Sequence, residues 1–197
     1  MKTKLLSLCF TPIAFLAAGQ GTFIYDQQSS DESNLQEGGA HLVSDQPVQS
    51  FTPGLSSIGF IRLFINDVTL GNGVGGTVYL NLLENSVSGP VLASTQPVVL
   101  PDSSQGPVNF FFSIPISLNP GQQYYIQPLV QSGDDLQANI STRYNYSGGT
   151  AYFQGQPSPL GFDMWFREGI VVPEPASLFL LPVGAALLLW LRRKNAS

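Results

Sequence analysis

An all-β fold, a single antiparallel β-sandwich of jelly-roll type, is predicted by three observations. From residue 48 onward, short apolar runs recur, and several alternate with period two. Gly, Pro, Asn and Asp separate them. No stretch between residues 20 and 172 carries the 3.6-residue periodicity of an amphipathic helix. A chain of 197 residues with 43% hydrophobic content supplies enough apolar surface for one such core.

Taken in order, the chain opens on Lys2 and Lys4, an apolar run over 5–18, and the small residues Ala17, Ala18 and Gly19. That three-part layout is a secretory signal peptide, here 1–19, and its apolar stretch is too short for a permanent span. Cys9, the only cysteine, falls inside it, so the exported part is expected to hold no disulfide, thiolate metal site or cysteine nucleophile. Residues 20–47 follow, rich in Ser, Gln and Gly over most of their length, and are expected to form a polar tether. The domain itself is assigned to 48–172. Strands are predicted at 48–52, 58–65, 77–83, 98–100, 108–114, 124–130, 137–144, 150–153 and 162–167. Val78, Leu80 and Leu82 are expected to share one face, as are Val108, Phe110, Phe112 and Ile114. The glycines from Gly71 to Gly76 read as a hairpin turn between two strands, not as a nucleotide loop, which would have to open a helix.

Charge narrows the partners. Residues 20–172 hold 12 acidic residues against Arg62, Arg143 and Arg167, a net charge near −9 without a single lysine. No nucleic-acid footprint is present.

The last segment, 173–197, changes character. Residues 176–191 are 16 positions without a charge, followed by Arg192, Arg193 and Lys194. Apolar all round, this run predicts a lipid-embedded helix of ~24 Å, marginal against a ~30 Å hydrocarbon layer. The three cations mark the cytoplasmic side. Ahead of the helix stand Val172, Pro173, Glu174, Pro175, Ala176 and Ser177. The ordered set of Pro-Glu-Pro, apolar helix and basic cluster resembles the PEP-CTERM sorting signal, which is processed by exosortase-type membrane enzymes in exopolysaccharide-producing bacteria. The resemblance implies that Pro173, Glu174 and Pro175 are what the processing enzyme recognises. The stretches QSFTPGLSSIGFIRL, LNPGQQYYI, YNYSGGTAY and FDMWFREGI are similar to an ectodomain found ahead of that signal. No activity comes with that second resemblance.

Chemistry within the domain is sparse. His41, the only histidine, falls in the expected tether, a poor base for a triad or zinc site. Asp134, Asp135, Asp163 and Glu168 are the carboxylates near aromatics that a glycosidase would need. Asp134 and Asp135 are also candidate calcium ligands, with a solvated turn as the competing reading. Tyr144, Tyr146, Asp163, Trp165 and Arg167 form a candidate sugar site, since an exposed ring beside polar groups grips a sugar face. Burial of Trp165 in the core is the competing reading. The expectation is a non-enzymatic, cofactor-free protein of the cell surface or extracellular matrix. Its expected partners are the export translocon, an exosortase-type enzyme, the membrane before processing, and exopolysaccharide. A carbohydrate-binding module is the alternative, and a glycoside-active enzyme the third reading.

Overall fold

Period-two alternation becomes strand burial wherever a residue's face meets the opposite sheet. The computed structural model describes residues 21–35 and 39–173; the expected leader, apolar helix and basic cluster, with Glu174 and Pro175, lie outside them. One compact unit spans Phe23–Val172. Strands are numbered in chain order. The first sheet holds β1 (Thr22–Gln28), β2 (Gly39–Leu42), β4 (Ser57–Asp67), β8 (Gln105–Ser117), β10 (Leu136–Ser141), β13 (Asp163–Met164) and β14 (Phe166–Val172). The second holds β3 (Val48–Phe51), β5 (Gly76–Glu84), β6 (Val91–Ser94), β7 (Val98–Leu100), β9 (Tyr124–Gly133), β11 (Ala151–Phe153) and β12 (Gln156–Pro157).

The pairings are antiparallel, and β4 is the hub of the first sheet. One of its edges pairs with β8. Its other edge pairs with β14 around Phe60–Leu63 and with β10 around Ile65–Asp67. In the second sheet β9 lies between β3 and β5. A single apolar core takes Ile61, Leu63, Ile65, Phe110 and Phe166 from the first sheet and Phe51, Val78, Leu80, Leu82 and Ile126 from the second. Val78, Leu80 and Leu82 are sealed from solvent, as their alternation predicts. Each buried side chain of this size contributes about 1.5–3 kcal/mol.

Several expectations need correction. The segment 20–47 is not simply a tether, because β1 joins β14 and β2 pairs with β10 inside the first sheet. His41 accordingly sits on a strand opposite Ala138. The 71–76 loop is no hairpin, since it carries the chain from β4 in one sheet to β5 in the other. Ile114 does not share the core face of Phe110 and Phe112 and is 69% exposed. Its register explains this: Phe60 pairs with Phe111 but Ile58 with Ile116, so extra residues on β8 form a bulge that breaks the alternation. The 137–144 strand ends at Ser141, which puts Tyr144 in the following turn. The 162–167 strand is split into β13 and β14 at Trp165, whose N–H donates to the Asn139 carbonyl.

Candidate functional site

The aromatic set proposed for sugar stacking is closed to solvent. Tyr144, Tyr146 and Trp165 are 1%, 9% and 0% exposed, so none presents a ring face to a ligand. Tyr146 fills the gap between the sheets, edge-on to Phe166 at 5.1 Å, while its hydroxyl accepts the Thr52 N–H at 2.9 Å. Asp163 is buried beside it, accepting the Gln49 side-chain amide at 2.8 Å and the Tyr146 N–H at 3.1 Å. Burial pushes both the Tyr146 hydroxyl and the Asp163 carboxyl above their ordinary values. Buried polar groups need partners: the Tyr146 hydroxyl satisfies the N–H just past the end of β3, and Asp163 satisfies the Gln49 side chain and the Tyr146 N–H. Trp165 is covered from outside: its ring nitrogen donates to the Asp31 carbonyl at 3.2 Å, and its ring meets Phe64 edge-on at 6.2 Å.

The carboxylates proposed for catalysis or calcium are dispersed. Asp134 accepts the Asn72 side-chain amide, and Asp135 accepts the Ser44 hydroxyl and the Leu136 N–H. Both therefore tie loops together. No group of three or more His, Cys, Asp or Glu side chains is placed to hold a metal ion among the described residues. Glu168 has no exposed surface, and its carboxyl lies beside the Asp26 carboxyl and the Gln27 N–H. Burial first, then the neighbouring Asp26 carboxyl, pushes Glu168 up to about 9. Asp26 itself caps the 54–55 loop, accepting the N–H groups of Gly54 and Leu55 at 2.7 and 2.8 Å.

A different constellation occupies the outer face of the first sheet. Arg62 on β4 and Arg167 on β14 point away from the core and are directly paired across the two strands. Each guanidinium is fixed through Nε, Arg62 to the Asn109 side-chain oxygen at 2.6 Å and Arg167 to that of Gln28 at 2.8 Å. Arg167 lies flat over Tyr25 at 3.4 Å, and Arg62 stands 5.5 Å from the centre of the Phe23 ring. The free Nη1 edges converge on one carboxylate, that of Glu32, with Oε1 taken by Arg62 and Oε2 by Arg167. Glu32 belongs to a strap, residues 29–35, which leaves β1 and crosses this face above Trp165. An Asp31 turn shapes the strap, with the Ser33 N–H donating to the Asp31 carboxyl at 2.9 Å. Those bonds from Ser33 hold the exposed Asp31 carboxyl below its ordinary value.

Of the residues singled out from sequence, only Arg167 takes part in this arrangement. Arg62, Glu32, Phe23 and Tyr25 were missed because they come from separate elements. Two signals were available: the scarcity of cations in a lysine-free domain, and the alternation of Phe23 and Tyr25.

Beside the arginine pair lies a polar groove of about 350 Å³, bordered by Gln28, Ser30, Asp31, Asn34, Arg143 and Asn145. Gln28 belongs to both features. A second, mostly apolar groove of about 460 Å³ is lined by His41, Ile140, Phe153 and Phe162, with His41 stacked on Phe153 at 4.4 Å. No family model matches the chain, and no curated protein matches its sequence.

Proposed function

We propose that this protein is exported, sorted through its C-terminal segment by an exosortase-type enzyme, and placed at the cell surface or in the extracellular matrix. There its two-sheet domain, of jelly-roll type, serves as a non-enzymatic structural or interaction module. The observation that carries this reading is the order of Pro173, Glu174 and Pro175, the charge-free run 176–191, and Arg192, Arg193 and Lys194. The fold agrees with it: β14 ends at Val172, and Pro173 is exposed, so the sheet stops where the recognition sequence starts. Two prolines disfavour a helix and remove two backbone donors, which suits a charged segment that an enzyme engages. The jelly-roll assignment is supported by the chain's repeated passage between sheets, as in β3 to β4 to β5 and β8 to β9 to β10.

Replacing Pro173, Glu174 and Pro175 together by alanine is expected to leave a protein of unprocessed mass in the membrane fraction. Intact mass and cell fractionation read this directly. An unchanged mature mass and location would remove the sorting role.

A carbohydrate-binding role is the second reading. The polar groove adjoining the arginine pair favours it, because amides, hydroxyls and a guanidinium in one place suit a hydroxyl-rich ligand.

A further inference from the structure

We infer that Arg62 and Arg167 form a recognition site for the carboxylate of an acidic sugar, a uronate, and that Glu32 is its built-in occupant. This rests on the sugar-binding reading and is independent of the sorting tail.

Glu32 does little for stability. Its side chain is 41% exposed, and ion pairs at that exposure add little to stability. Yet two of the three arginines in the exported part are committed to it. Both are built into rigid strands, both are oriented by a second bond through Nε, and both lie over aromatic rings. A planar guanidinium held in this way has little side-chain entropy left to lose when a carboxylate docks on its free edge. The cradle is therefore preorganised for one carboxylate, with Glu32 showing where its two oxygens sit.

The surroundings specify the rest of the ligand. Phe23 and Tyr25 are half-buried and flank the arginines, which puts partly exposed aromatic rings beside the carboxylate position, one face of Tyr25 being taken by Arg167. Gln28 leads from Arg167 into the polar groove, where Asn145 and Ser30 offer donors and acceptors for hydroxyls. In that groove the Asn34 side-chain oxygen is buried without a hydrogen-bond partner. A pyranose bearing a carboxylate matches this sequence of carboxylate, flat face and hydroxyl contacts. An acidic peptide matches the first of these alone.

Glu32 competes as a tethered ligand, at an effective concentration on the order of millimolar. Free uronate must displace it, and movement of the strap would also uncover Trp165, which the Asp31 carbonyl now holds. Wild-type affinity is thus low and set by the strap. The domain's net negative charge opposes a polyanion at long range, but at ~0.15 M salt screening confines that field to ~8 Å.

The test uses the full chain in mild detergent at that ionic strength, with polygalacturonate, neutral dextran and poly-glutamate as probes. Wild type should bind polygalacturonate weakly. Glu32→Ala should bind it at least tenfold more tightly, and adding Arg62→Gln with Arg167→Gln should abolish that gain. Arg167→Lys in the Glu32→Ala background, which keeps the charge and loses the planar fork, should weaken binding severalfold; thermal unfolding of each variant checks that the fold is kept. No gain from Glu32→Ala, or equal binding of poly-glutamate, overturns the uronate site. Dextran bound equally by every variant overturns it while leaving a sugar-binding domain, and no polysaccharide bound by any variant removes both readings.

Discussion

Glu168 occupies β14 opposite Ile61, with no exposed surface and the Asp26 carboxyl nearby. An ionised carboxylate there would be desolvated and set against a second carboxyl, so the folded protein keeps the proton up to about pH 9 while an unfolded glutamate releases it near 4.5. The sign follows directly. Between those values folding takes up a proton, so the contribution of Glu168 to stability is fully present below pH 4.5 and falls as pH rises towards 9. Glu168→Gln removes the proton uptake and preserves the shape. It should leave the unfolding temperature unchanged near pH 4 and raise it increasingly from pH 5 to 9, by roughly 1–3 kcal/mol of stability at pH 7. Parallel melting curves of the two proteins across that range would contradict this account. Contributions from Asp163 and Asp31, neither of which is shifted by Glu168, are common to both proteins and cancel in the difference. Trp165 is a second residue-scale case. Alternation with Asp163 and Arg167 was legible, but whether its outer position met water was not, because the covering strap lies 134 positions away in sequence.

At the scale of elements, strands with strict alternation were legible, and those defined by their partners were not. β4, β5 and β9 emerge from the sequence almost whole because each sets large apolar side chains against the facing sheet. β2 is only Gly39–Leu42, and pairing with β10 makes it a strand where composition suggests a loop. β1 places Phe23 and Tyr25 on the outer face of the sheet, away from the core, so its pattern did not stand out from a polar stretch. Gly148 and Gly149 stand in the turn before β11, and the structure shows why a glycine is needed there: a Cβ on Gly149 would lie 2.0 Å from the Ser50 carbonyl oxygen. Backbone of β3 cannot move aside without breaking its bonds to Thr150. Gly149→Ala is therefore expected to destabilise by about 1–3 kcal/mol. Gly39→Ala, whose added methyl meets only the Ile140 carbonyl oxygen at 3.7 Å, should be nearly neutral in denaturant titration. Equal effects at the two positions would mean that β3 and the 148–150 turn are not held as described.

For the whole molecule, the distribution of charge carries the remaining argument. The described unit is acidic and lysine-free, while Lys2 and Lys4 precede the first apolar run and Arg192, Arg193 and Lys194 follow the last. Cations flanking apolar segments are retained on the cytoplasmic side, and an acidic domain between them offers no opposing signal. The expected topology before processing is thus domain outside and residues 192–197 inside. A reporter active only outside the cytoplasm, inserted after Val172, should be active, and the same reporter after Ser197 should be silent. Replacing Arg192, Arg193 and Lys194 by glutamine should let part of the second reporter population cross, because the apolar run is short and these charges supply much of its orientation. Activity from both positions in the unaltered chain would show that residues 176–191 do not stop transfer. The tail would then lie wholly outside, and sorting would have to act on a released chain.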